Sequence, residues 1–173
     1  MTGPDGSVIE LASTSPEQTR ALGSALATLV EPGDLLLCSG ELGAGKTVLA
    51  QGLARGLGVP DPVVSPTFVL VRSHAGGRLP FQHADVWRLD QLAEVADLGL
   101  GELLEDGSVV LVEWGDRAAP VLGPDYLELA MEAGPGEDER RLRLRPVGPR
   151  WDARAARLAR VVSPWAAPGW RRP

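Results

Sequence analysis

Residues 40–47 read Gly-Glu-Leu-Gly-Ala-Gly-Lys-Thr and hold the single lysine of the 173-residue chain; every other one of its 17 basic side chains is arginine. The pattern is G-x-x-x-x-G-K-T, set between an apolar run, Leu35 to Cys38, and a helix-forming segment. In that context a glycine-rich loop binds phosphate: successive backbone N–H groups curl around the oxygens, and the positive end of the following helix points at the same place. A compact ammonium on a thin stem lies across such a loop and bridges the outer phosphates, whereas a planar guanidinium is wider and differently shaped. That difference explains why an arginine-preferring chain has lysine at position 46. The hydroxyl of Thr47 is placed to meet a magnesium ion.

Phosphate chemistry also needs carboxylates near the metal and a group that orients the attacking water. Glu113 ends the run Val109-Val110-Leu111-Val112-Glu113, where a parallel strand delivers its last side chain to the phosphate crevice. Asp85 lies in His-Ala-Asp-Val-Trp, with His83 on the same face of a period-two strand. By itself His-x-Asp is more often a hydrogen-bonded structural couple, and as a zinc site it would lack a third ligand, since few residues besides the distant His74 could supply one. Trp114, beside Glu113, either covers a nucleotide or packs into the core.

The surrounding elements follow from pattern. Ser15-Pro16-Glu17-Gln18 is a capping box with proline at the first helical position, and Leu22, Ala25, Leu26 and Leu29 recur on one face, predicting a helix over 15–30. Leu-Leu-Leu-Cys-Ser reads as a buried parallel strand, and a helix follows from Thr47 to about Leu57, stopped by Gly58, Pro60 and Pro62. Phe-Val-Leu-Val-Arg-Ser and Pro-Phe-Gln-His-Ala-Asp-Val-Trp form an expected hairpin, and 92–104 an expected helix broken around Gly99 and Gly101. Tyr126 to Glu132 and Arg140 to Pro146 alternate with period two, so Glu128 and Glu132 can pair with Arg141, Arg143 and Arg145 on the wet face. The expected fold is α/β: a P-loop NTPase-like three-layer arrangement with a mostly parallel central sheet and antiparallel additions. It occupies residues 1–150 as one domain. Residues 151–173 form a tail with a short amphipathic helix, Trp151, Ala155, Leu158 and Val162 facing inward and Arg154, Arg157 and Arg160 facing water.

Composition sets the limits. The chain is 44% apolar and 23% charged, values of a folded soluble protein, and carries a net charge of −6, which disfavours direct non-specific binding to a nucleic-acid backbone. Cys38 is the only cysteine, so no internal disulfide is possible, and its apolar setting predicts a buried thiol. No run is long enough to cross a bilayer and the first ten residues lack the blocks of a signal peptide, giving a cytoplasmic expectation.

Taken in order, Gly-Glu-Leu-Gly-Ala-Gly-Lys-Thr at 40–47, Ser-Pro-Thr-Phe at 65–68, His-Ala-Asp-Val-Trp-Arg-Leu at 83–89, the segment around 94–100 and Val-Glu-Trp at 112–114 resemble the bacterial TsaE (YjeE) family over about residues 7–145. That resemblance implies an ATPase of tRNA threonylcarbamoyladenosine synthesis working with TsaB and TsaD, sluggish alone, with tRNA met indirectly through the complex. It implies ATP phosphates held by Leu42, Gly43, Ala44, Gly45, Lys46, Thr47 and Val48, and Mg2+ held by Thr47 and Glu113. Lys46, Asp85 and Thr67 are the implied catalytic residues, Asp85 for water activation or metal support and Thr67 within a switch-like Ser-Pro-Thr-Phe segment. Glu17 and Arg141 are the implied neighbours of base and sugar. The chain departs from the family pattern at Trp87, where tyrosine is usual, and at Gly115, where proline is common. Two other activities fit the same loop: a small-molecule kinase, which needs a lid and convergent basic residues, and an adaptor that reads ATP without hydrolysing it.

Overall fold

The computed structural model describes residues 8–168. A seven-stranded sheet runs in the order β1-β7-β6-β2-β5-β4-β3. Its strands are β1 (Ile9–Ser13), β2 (Leu35–Ser39), β3 (Val71–His74), β4 (Phe81–Asp85), β5 (Val109–Glu113), β6 (Tyr126–Ala133) and β7 (Arg140–Val147). β2 lies parallel to both β5 and β6, and β4 parallel to β5, so the middle of the sheet is parallel. β3, β7 and β1 add antiparallel edges. This is the expected three-layer α/β arrangement.

Alternation along the strands divides the core. Leu36, Phe81 and Leu111 face the layer built from α1 (Pro16–Ala27), α2 (Lys46–Gly56) and α7 (Ala155–Val161), and Leu35, Ala84 and Val110 face α3 (Leu92–Asp97), α4 (Leu100–Glu105) and α5 (Ala119–Leu122). Ser15 caps α1 by accepting the N–H of Gln18, as its sequence requires. α1 and α2 touch through glycine: a Cβ on Gly23 or Gly52 would run into the backbone of the opposite helix. That close approach fixes where α2 begins, and with it the glycine loop. No helix among the described residues is long and apolar enough to cross a membrane.

Several expectations need correction. Only Val71–His74 of the first hairpin arm is strand; Phe68 to Leu70 turn instead, with Leu70 at φ 67 and its N–H bonded to the Pro66 carbonyl. The helix over 92–104 breaks at Gly99 (φ 72) alone, and Gly101 lies inside α4. β1 joins the sheet beside β7, a long-range pairing that local pattern did not indicate. After β7 there are two short helices in place of one, α6 (Pro149–Asp152) and α7. The break between them turns Arg154 inward, where helical spacing had placed it in water: it is 8% exposed and bonds both carboxylate oxygens of Asp34, at 2.6 and 2.8 Å. Trp151, Leu158 and Val162 are buried as expected. Past α7, Trp165 donates its ring N–H to the Gln18 carbonyl and Ala166 bridges to Leu11; residues 169–173 of the tail lie outside the described residues.

Candidate functional site

The parallel strands β2, β5 and β4 end side by side, and the last residues of β5 and β4, Glu113 and Asp85, open with the loop after β2 onto a cleft of about 560 Å³. From β2 the chain leaves through Gly40 and re-enters helix at Lys46, with Gly45 as the preceding residue in the left-handed region (φ 101, ψ 15). A side chain at Gly45 would be strained there, so the sharp entry into α2 depends on glycine. The result is a loop folded around the first turn of a helix whose early N–H groups have no acceptor within it.

Lys46 is 5% exposed. Its ammonium donates to the carbonyls of Gly40 at 2.6 Å and Glu41 at 2.9 Å, and sits 4.3 Å above the Trp114 ring. The loop thus supplies a resting place for the charge beside the space it lines. Thr47 donates its hydroxyl hydrogen to Glu113 Oε1 at 2.8 Å, leaving the hydroxyl lone pairs free. Oε1 also lies 2.8 Å from His83 Nε2. Oε2 takes no hydrogen bond from a described residue.

Asp85 stands directly across from Glu113 in the β4–β5 register. It accepts the Trp87 N–H at 3.1 Å and the Thr67 hydroxyl at 3.3 Å, and Thr67 shares a 2.6 Å hydrogen bond with Ser65. Burial pushes the Asp85 carboxyl above its ordinary range; the Glu113 charge adds to this, and the Trp87 N–H opposes it. The His-x-Asp spacing therefore does not make a couple, because His83 bonds Glu113 and Asp85 bonds the Ser-Pro-Thr segment. Among the described residues no group of three or more His, Cys, Asp and Glu gathers as a metal cluster. Thr47 and Glu113 instead offer the hard oxygen donors that suit magnesium.

Leu42, Gly43, Gly45, Lys46, Thr47 and Val48 line the cleft, as do Thr67, Asp85 and Glu113. Ala44 is buried behind the loop. Glu17 is exposed on the first turn of α1, 3.5 Å from Arg20, and Arg141 lines a separate groove with Glu10 and Glu132; neither lines this cleft. The cleft has Arg140 instead, whose guanidinium donates to the Gly43 carbonyl at 3.2 Å. Counting back by two from buried Leu144 and Leu142 reaches Arg140 and not Arg141, a signal present in the sequence. Trp114 lines the cleft from a left-handed backbone (φ 61), its ring 6.5 Å from that of Trp87.

The chain is similar to known proteins over most of its length. The family model described as "Threonylcarbamoyl adenosine biosynthesis protein TsaE" matches residues 13–142. The "tRNA threonylcarbamoyladenosine biosynthesis protein TsaE" of Bacillus subtilis (strain 168) is 37% identical over 148 residues, covering 86% of this chain and 92% of its own. The protein of the same name from Streptomyces coelicolor is 46% identical over 138 residues, 76% of this chain and 93% of its own. The solved structure "Crystal structure of Bacillus subtilus YdiB" superposes with a TM-score of 0.76 at 32% identity, covering 89% of this chain and 95% of that one.

Proposed function

The chain belongs to the TsaE family, and from that premise we propose that it is a P-loop ATPase, slow by itself, that binds Mg-ATP in the cleft and serves tRNA threonylcarbamoyladenosine formation through a TsaB–TsaD complex. The observation that carries this reading is convergence: Lys46, Thr47, Asp85 and Glu113 come from three segments far apart in sequence and line one cleft at the strand ends.

The chemistry follows from these positions. The N–H groups of residues 42–48 cradle the outer phosphates, and Lys46 exchanges two carbonyl partners for phosphate oxygens. Because those carbonyls already hold the ammonium at the cleft wall, little reorganisation accompanies the exchange. Thr47 and Glu113 would hold Mg2+, which neutralises phosphate charge when bound. Asp85, raised by burial and bonded to Thr67, orients the attacking water and accepts its proton; a carboxylate above its ordinary range is the better base. Thr67 ties that carboxylate to Ser65 and so to the switch-like segment. Arg140, beside the loop, is placed to approach the nucleotide in the role that sequence had assigned to Arg141.

A kinase would need cations converging on an acceptor. Lys46 and Arg140 are the cationic residues lining the cleft, and Arg88 stacks over Phe68 and Trp87. The net charge of −6 agrees with tRNA being met through the partner complex. The test is reconstitution with TsaB and TsaD homologues, measuring ADP release and threonylcarbamoyladenosine on tRNA over repeated turnovers. ADP release that rises with the partners supports the proposal. Nucleotide binding without turnover in the complete complex selects the adaptor, and phosphate appearing on a metabolite selects the kinase.

A further inference from the structure

His83 belongs neither to the phosphate loop nor to the residues assigned above to the metal, yet its ring is fully buried and reaches Glu113. In the β4–β5 register His83 lies beside Leu111, one step short of Asp85 beside Glu113. The imidazole leans forward along the sheet to span that step. Phe81, on the same face two residues earlier, stacks against it at 6.1 Å and 16°, which constrains the plane of the ring. A carboxylate only accepts hydrogen bonds, so Nε2 carries the proton and donates it to Oε1 at 2.8 Å.

The same oxygen accepts from Thr47 at 2.8 Å, and Oε2 has no donor among the described residues. Two donors from opposite sides, one on β4 and one on α2, therefore hold one oxygen of Glu113 and leave the other available to the cleft. Without His83 the carboxylate would keep only the Thr47 hydroxyl, a rotor that turns with it.

We propose that His83 is a positioning residue of the magnesium site: it fixes the Glu113 carboxylate in the orientation that also directs the Thr47 hydroxyl, and so sets how strongly magnesium reinforces nucleotide binding. This rests on the reading of Thr47 and Glu113 given above. It distinguishes His83 from a space-filling ring, whose loss would weaken the fold and all nucleotide binding alike.

The experiment is calorimetric ADP binding to the full chain in excess Mg2+ and in excess EDTA, the ratio of the two affinities measuring the magnesium-dependent gain. Glutamine carries an amide N–H at about the reach of imidazole Nε2, and asparagine is one methylene too short. His83→Asn is expected to cut the gain about tenfold, as loss of a group that orients a metal ligand does, with the EDTA affinity within about twofold of wild type. His83→Gln is expected to keep most of the gain. A full gain in His83→Asn overturns the proposal, as does a parallel fall of both affinities in both variants. Absence of any gain in wild type removes the metal reading itself, and the inference with it. A second measurement needs neither nucleotide nor a stable variant at position 83. In the nucleotide-free protein the His83 Nε2–H should give a slowly exchanging proton resonance that is lost in Glu113→Ala; a rapidly exchanging wild-type signal overturns the hydrogen bond on which the proposal stands.

Discussion

The two ends of β2 both carry buried charge, and they treat it in opposite ways. Before its first residue stands Asp34, 2% exposed, with every oxygen engaged: Arg154 bonds both, Arg150 approaches Oδ1 at 3.1 Å, and the Glu31 N–H donates to Oδ2 at 2.8 Å. The hydrogen bonds to Asp34 raise the Arg154 pKa, so that charge is locked in. Beyond its last residue, Lys46 rests on two carbonyls, Glu113 keeps one oxygen without a donor among the described residues, and Asp85 is held above its ordinary range by burial. A saturated network can only hold; one whose members have spare capacity or replaceable partners can take a ligand. Burial and charge are shared by both ends, so it is the completeness of hydrogen bonding that separates anchor from site.

This contrast can be broken or sharpened by substitution. At the open end, Lys46→Ala is expected to lower ATP turnover by about 10³-fold, roughly 4 kcal/mol of transition-state stabilisation, while the melting temperature stays within about 4 °C of wild type. A loss of fold as severe as the loss of turnover would erase the distinction. At the closed end, Asp34→Ala leaves the buried Arg154 guanidinium with carbonyl partners but without its carboxylate and is expected to cost about 3 kcal/mol, read as a lower melting temperature by calorimetry. Turnover per folded molecule at 20 °C should fall far less than in Lys46→Ala.

Asp85→Asn sharpens the comparison because it moves two quantities in opposite directions. Turnover is expected to fall about 10²-fold, with nucleotide affinity nearly unchanged. The folded state holds the Asp85 pKa above its unfolded value, so the protonated form is favoured in the fold and stability declines as pH rises through the folded-state pKa. Removing the charge should therefore stabilise the variant at pH 7, read as a higher melting temperature, an advantage that shrinks toward acid pH. A lower melting temperature at pH 7 would count against the strained carboxylate. The smallest effect is expected from Arg140→Ala, about a threefold to fivefold weaker ADP affinity in a binding titration, with no change on replacing Arg141, which points elsewhere.

The phosphate loop was legible because its chemistry is local. Glycine spacing, one lysine, an apolar run before and a helix after all lie within about twenty residues, and each element has one reading. Glu113 was legible as a strand-end carboxylate. The partner of His83 was not, because period two places His83 and Asp85 on one face but says nothing of the neighbouring strand that offers Glu113 diagonally. β1 was missed because Ile-Glu-Leu-Ala-Ser is short, and its strand character comes from pairing with residues 140–144. Arg141 against Arg140 is a phase question: on an alternating strand a shift of one residue exchanges faces. Arg154 escaped helical counting because the break at 153–154 resets the phase, and only the distant Asp34 explains where its guanidinium goes.

Arg154 touches nothing in the cleft, yet it has a mechanical consequence there. Leu35–Ser39 extends about 17 Å, and a short extended segment scarcely stretches, so whatever sets its axial position at one tip sets it at the other. The clamp on Asp34 is the datum from which the projection of the glycine turn is measured, and residues 149–154 gauge a distance they never contact.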